Sequence, residues 1–212
     1  MKDPKATAYK SLRYRIITHD LRPGQPLNEK NLMDEYQIGR TPLREVLLRL
    51  QRDGLIQRFP RSGTFVSSLD LRVFKQIVEI RIDLEAFAAR LAAERVTKDQ
   101  LDALRQTLQK AQELEEEERA DLDALIQCEF DFHDKIYEAS TNEKLKEILH
   151  ELHGVSTRFW YYLIFDEKEL VQELHDLAQV LDALEKQDGQ RAAEAMADHI
   201  RSFVDKARDK IL

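Results

Sequence analysis

Residues 38–66 read IGRTPLREVLLRLQRDGLIQRFPRSGTFV, and their order decides the fold of the first part of the chain. Thr41 and Pro42 open a helix: Thr is able to cap it, and Pro is tolerated at a first helical position because its missing N–H would be unpaired there anyway. Leu43, Val46, Leu47 and Leu50 follow at helical spacing and form one apolar stripe. Asp53-Gly54 stops the helix. Leu55–Phe59 and Thr64–Ser67 then read as two short strands joined by a tip at Pro60–Gly63. Working back from this stretch, Pro23-Gly24 with Pro26 separates a helix over about 6–20 from a second over 28–36, for which Asn28 is the N-cap. Three helices and a basic hairpin in this order predict a winged helix-turn-helix.

The polar decoration of that segment is arginine, although the 212-residue chain carries a net charge of -7. Residues 1–70 carry +5 and residues 71–212 carry -12. A basic module joined to an acidic one points to a polyanion partner for the first part alone. Helix-turn-helix modules place the start of their second helix in the major groove. Arg40, Thr41 and Arg44 are the candidates to reach base edges there. Arg49 and Arg52 are candidates for backbone phosphates, and Arg58, Arg61, Ser62 and Gly63 at the hairpin tip for a neighbouring groove. A solvated surface would explain one such arginine; Arg40, Arg44, Arg49, Arg58 and Arg61 together on one motif predict binding of double-stranded DNA.

From residue 72 onward the pattern is helical and free of proline. Ile77, Ile80, Leu84, Phe87, Ala88 and Leu91 mark one helix, and Leu101, Leu104, Leu108 and Ala111 the next, which ends in the acidic run 115–118. Further helices are expected over about 120–139, 143–165, 167–186 and 188–210, with Ser140–Asn142 and Asp188-Gly189 as short turns. The expected architecture is mainly α: a winged helix-turn-helix over 1–70 and an all-α effector-binding and dimerisation domain over 71–212. The single cysteine, Cys128, excludes an internal disulfide framework and reads as a buried thiol. No long apolar run or leader is visible, so a cytoplasmic protein without membrane contact is expected.

The first part resembles the DNA-binding domain of the GntR family of bacterial transcription regulators. The resemblance is carried by Leu21, Pro23-Gly24, Leu27, Glu29, Leu32, Arg40-Thr41-Pro42, Arg44-Glu45, Leu50, Asp53-Gly54-Leu55 and Arg61-x-Gly63. It departs at Gly39, where the family usually has Ser. The remainder resembles the all-helical FCD-type ligand-binding domain of the FadR branch, through Glu79-Ile80-Arg81, Leu84-Glu85, Ala88-Ala89, Ala92-Ala93, Phe132-His133, Ala139-Ser140, Asn142, Ala183-Leu184, Asp188, Ala192-Ala193, Met196 and His199. This implies a dimeric repressor whose operator affinity is modulated by a small organic acid.

Many members of that branch hold a divalent metal (Zn, Ni or Mn) through one Asp and three His. Carried over, the resemblance assigns Glu129 in place of the Asp, with His133 and His199. The third His would stand at Leu177; His175 is two residues away, on another helix face. His150 and His153 lack a carboxylate on their own helix face and read as surface or packing residues. Arg81 matches a position that faces the ligand pocket, where a guanidinium could clamp a carboxylate, and Trp160 and Tyr161 are further candidates to line it. Two other readings stay open: an architectural DNA-binding dimer without effector, and a metal-dependent all-α enzyme using Glu129, His133 and His199. A polar cavity at Arg81 and His133 would favour the sensor, a closed apolar core the architectural protein.

Overall fold

The computed structural model describes residues 3–115, 122–163 and 167–211, without the side chains at 123, 160–163, 167–169 and 207–211. The chain divides into two compact units: Met1–Lys75 with Glu151–Tyr162, and Gln76–His150 with Leu163–Leu212.

The first unit begins with α1 (Pro4–Ile17), whose Asp3 side chain caps the Lys5 N–H, and buries Ala8, Leu12, Ile16 and Ile17. Gly24, at φ +77°, then turns the chain back, and its N–H donates to Val66 O at 3.0 Å. That return creates β1 (Pro26–Leu27), a strand absent from the sequence reading. Two residues are too few to show an alternating pattern; only the pairing of Pro26 with Phe65 and Leu27 with Thr64 defines the strand. Helix α2 (Glu29–Tyr36) starts as expected at Asn28, whose side chain accepts from Asn31 N, and ends at left-handed Gln37.

Helix α3 (Arg40–Arg52) buries the predicted Leu43, Val46, Leu47 and Leu50. Its start corrects the expectation of a Thr cap. Gly39 is the N-cap and makes no side-chain hydrogen bond, so Thr41 and Pro42 are the second and third helical residues. Glycine in place of the usual serine costs only a few tenths of a kcal/mol at such a cap. Asp53 caps the other end, and Gly54 leaves it at φ +67°. Strands β2 (Ile56–Phe59) and β3 (Gly63–Val66) form the expected hairpin, completing an antiparallel sheet of order β1-β3-β2.

The helices of the remainder are α4 (Leu71–Arg95), α5 (Lys98–Glu115), α6 (Leu122–Ala139), α7 (Glu143–Leu163), α8 (Glu167–Glu185) and α9 (Gly189–Ile211). Most of the acidic run at 115–118 lies outside the described residues. Both predicted turns are present. Thr141 adopts φ 51° and Asn142 caps Leu145 N, while Gln187 adopts φ 53° and Asp188 caps Arg191 N. Position 189 is tight: a Cβ there would stand 3.2 Å from Arg90 Cγ and 3.4 Å from Arg90 O, so Arg90 would have to give by a few tenths of an ångström.

Two features of the helices differ from the sequence reading. The buried face of α4 is Phe74, Val78, Arg81, Glu85, Ala88, Ala89, Leu91, Ala92 and Ala93; the expected Ala88 and Leu91 lie on it, whereas Ile80 is 50% exposed and Ile77, Leu84 and Phe87 are half-buried. Hydropathy misplaces this face because Arg81 and Glu85 neutralise each other four residues apart and go inside together. Helix α7 is also divided between the two units. Its stretch 151–162 packs with the winged helix, placing Gly154 beside Leu55 and stacking Phe159 on Phe74 at 4.5 Å.

Candidate nucleic-acid interface and metal centre

Arg40, Thr41 and Arg44 are exposed on the first turns of α3, off its buried stripe. Arg40 and Arg44 are separated by only about 40° around the helix axis, so they present one basic edge. Arg49 lies about 140° further round from Arg44, on the side of α1, where its guanidinium covers the Tyr9 ring at 3.8 Å. Tyr9 in turn donates to Asp53 Oδ2 at 2.6 Å. Arg58 leans on Glu29 at 3.5 Å, the same carboxylate oxygen that accepts from Thr64 Oγ1 at 3.0 Å. Arg61 is exposed at the hairpin tip at φ 67°, and Gly63 follows at φ 110°. The tip also carries a half-exposed aromatic that the sequence reading passed over: Phe59 is 50% exposed and meets the Phe65 edge at 5.9 Å.

The second unit holds a buried polar centre. Arg81 donates from Nε and Nη2 to Glu85 Oε1 at 3.1 and 2.7 Å. The same oxygen accepts from Tyr137 Oη at 2.6 Å, and Glu85 Oε2 lies 3.1 Å from His133 Nδ1. His133 Nε2 faces Glu129 Oε1 at 3.2 Å and His199 Nε2 at 3.3 Å. On the far side of His199, Nδ1 lies 3.3 Å from Glu173 Oε2 without hydrogen-bond geometry, and Lys206 donates to Glu173 Oε1 at 2.6 Å.

Three carboxylates (Glu85, Glu129, Glu173) thus meet three cationic groups: Arg81, Lys206 and a protonated His133. Burial alone would lower the His133 pKa, but Glu85 and Glu129 raise it to about 9. Burial, then the charge of His133, holds His199 down to about 3, so it stays neutral. Burial lifts Glu173 to about 7 against the opposing pull of Lys206. A closed apolar core is therefore overturned, and what replaces it is a polar interior in which His199 Nδ1 alone among these named groups lacks a hydrogen-bond partner.

The metal set resolves residue by residue. Glu129, His133 and His199 converge, with ligand atoms all within 4.8 Å of one another. Their 3.2 and 3.3 Å separations match donor–donor edges around an ion bonded at roughly 2.0–2.2 Å. These three donors fit a divalent ion, whose binding would release the His133 proton to solvent. Leu177 is fully buried in the apolar core. His175 is exposed and pairs with Glu115 at 3.0 Å, so it does not join the centre. Glu173, Asp176 and His199 also cluster, but there the Lys206 ammonium already supplies the cation.

His150 is a part-exposed surface residue, as expected, and its carboxylate partner, Asp134 at 3.0 Å, comes from α6 rather than from its own helix. His153 is a buried packing residue of the first unit. Arg81 is buried and engaged by Glu85 rather than open to a ligand. The side chains of Trp160 and Tyr161 lie outside the described residues. Glu85 and Tyr137 were missed, although each sits four residues after a chosen residue, Arg81 and His133. For Glu173 and Lys206 the sequence holds no signal, since only the packing of α8 on α9 brings them together.

Comparison with known proteins accounts for both units. Residues 4–66 match the gntR family of bacterial regulatory proteins and residues 76–202 match the FCD domain. The chain is 28% identical to the HTH-type transcriptional repressor RspR of Escherichia coli, over 94% of this chain and 87% of that protein. It is 30% identical to the Nta operon transcriptional regulator of Aminobacter aminovorans, over 89% of this chain and 87% of that one. The solved structure of E. coli McbR/YncC superposes with a TM-score of 0.85 at 25% identity, covering 100% of both chains. The chain belongs to the GntR family and carries an FCD domain; it is a transcription regulator and not an enzyme.

Proposed function

We propose that this GntR-family regulator acts in the cytoplasm as a homodimeric repressor whose operator affinity is tuned by a small ligand in its FCD domain. The observation that carries the reading is the basic edge of Arg40 and Arg44 on the exposed start of α3, beside a wing tipped by Arg61. In this reading Arg40, Thr41 and Arg44 address base edges in the major groove, and Arg61 with the backbone at Gly63 enters the adjacent minor groove. Arg49 and Arg58, held against Tyr9 and Glu29, supply phosphate contacts from fixed positions. Pre-positioning lowers the entropy lost on binding.

A dimer is supported by α4. Ile77, Ile80, Leu84 and Phe87 recur at spacings of three, four and three and are half-buried or exposed. Such a stripe is the pattern of a helix seam. Two copies joined there would present two recognition helices to a pseudo-palindromic site.

For the effector, the polar centre offers two routes to an organic acid. The acid replaces Glu85 on Arg81, or it completes the coordination of an ion held by Glu129, His133 and His199. When bound, such an ion supplies Lewis-acid positions for an oxygen ligand. Any effect on DNA requires the ligand to favour one arrangement of the dimer over another.

The test is salt-dependent binding of the purified protein to its own upstream DNA, with and without candidate acids and divalent metals. A reporter fused to the adjacent promoter should rise when the regulator is deleted. Binding no tighter to that DNA than to random duplex would overturn the operator reading. The effector-free, architectural reading is favoured by one observation, the charge balance of the buried centre. It gains if no acid or metal shifts either thermal stability or operator affinity.

A further inference from the structure

The winged-helix unit contains a buried cation that the DNA interface does not use. Arg158, on the stretch of α7 that packs in this unit, is 1% exposed. Its Nη2 donates to the backbone carbonyl of Ser67 at the end of β3, while its Nε is buried and has no acceptor. Among the described residues no carboxylate pairs with it, and burial alone pulls its pKa down to about 10. His19 lies beside it as a neutral ring, its pKa lowered to about 4 by burial first and by the charge of Arg158 second.

Arg81 shows how this chain completes a buried guanidinium. Its Nε–Nη2 edge donates two hydrogen bonds to one carboxylate oxygen, Glu85 Oε1. Two parallel N–H donors match the two oxygens of an oxyanion, and that geometry is the strongest use of the arginine fork. At Arg158 the edge carries a single neutral carbonyl on one donor and nothing on the other. A carbonyl cancels no charge, so the guanidinium remains an uncompensated buried cation, the costly case for an ionised group. Ser67, whose carbonyl accepts from Nη2, is buried, and Ser68, the next residue of the chain, is exposed.

We propose that Arg158 is the receptor for a small oxyanion within the winged-helix unit, bound side-on through Nε and Nη2. Such an anion takes over the role of the Ser67 carbonyl. It thereby links anion concentration to the stability of the unit and to the anchoring of the connection between β3 and α4.

The probes are phosphate, sulfate and acetate, added to the full-length protein at constant ionic strength with chloride as the balancing salt. The expected result is a saturable shift of one arginine Nε–H resonance in side-chain NMR, absent from the Arg158→Lys variant. At tenfold the dissociation constant, the thermal midpoint of the winged-helix unit should rise by about 6–11 °C. Phosphate and sulfate acting without acetate would identify a tetrahedral ligand, and acetate acting alone a planar one; either supports the site. Arg158→Met should remove the anion response. No saturable shift in the wild-type protein up to tens of millimolar anion, or equal responses to chloride and oxyanions, would overturn the proposal. So would an undiminished response in a folded Arg158→Met protein. The wild-type titration decides the question even if that variant does not fold. Because none of these readouts involves DNA, failure here leaves the operator reading untouched.

Discussion

The arginines of the two units do opposite work with the same side chain. On α3 and the hairpin, Arg40, Arg44 and Arg61 stand in solvent, where a guanidinium is inexpensive to keep and available to a phosphate or a base. In the helical unit Arg81 is buried to 3% exposure, where its charge is tolerable only because Glu85 accepts two of its hydrogen bonds. Removing the side chain in the first setting subtracts an interaction with a partner. Disturbing it in the second leaves a charge stranded inside the protein. Position relative to water, rather than residue type, decides whether an arginine is available to a partner or committed to an internal ion pair.

The largest test of this contrast is Glu85→Ala. It leaves Arg81 without its carboxylate and strips an acceptor from Tyr137 and His133, and it should destabilise the helical unit by about 3–5 kcal/mol in chemical denaturation. A loss below about 1 kcal/mol would mean that the buried pair behaves like a surface one. Arg44→Ala should do the reverse, leaving the unfolding midpoint unchanged while weakening specific operator binding by about 1–3 kcal/mol in an anisotropy titration. An unaltered sequence preference would remove Arg44 from base contact.

Acid sharpens the comparison inside the first unit. Burial holds the folded pKa of His19 at about 4, below the ordinary imidazole value of 6.5. Its contribution is therefore fully present above pH 6.5 and is lost as pH falls toward 4. His19→Gln should flatten that component of the stability-against-pH curve, and an identical curve for both proteins would count against the burial argument. The smallest effect is expected for Arg61→Ala. It should lower the slope of log affinity against log salt by about 1, with little change in which DNA is preferred.

Legibility follows the same division. The α3 stripe, the Asn28 cap, the hairpin and both interhelical turns were readable because each depends on neighbours in sequence. Strand β1 was not, since two residues acquire strand character only from β3. The orientation of α4 was misread because hydropathy places Arg81 and Glu85 outside, and their mutual neutralisation cannot be scored until both are seen on one buried face. His133 and His199 were legible as candidates, and so was the misfit of Leu177 and His175. Their relation to Glu173 and Lys206 was not.

The order of local signals, together with the segregation of positive charge into the first 70 residues, was enough to specify a winged helix-turn-helix followed by a helical domain. Periodicity, caps and turn residues act over one or two turns and need no distant partner. Only the tertiary structure decided which charges go inside, which three side chains could face an ion, and that part of α7 joins the first unit. A buried ionic contact is set by distance and desolvation between segments far apart in the chain, and neither quantity exists until those segments have packed.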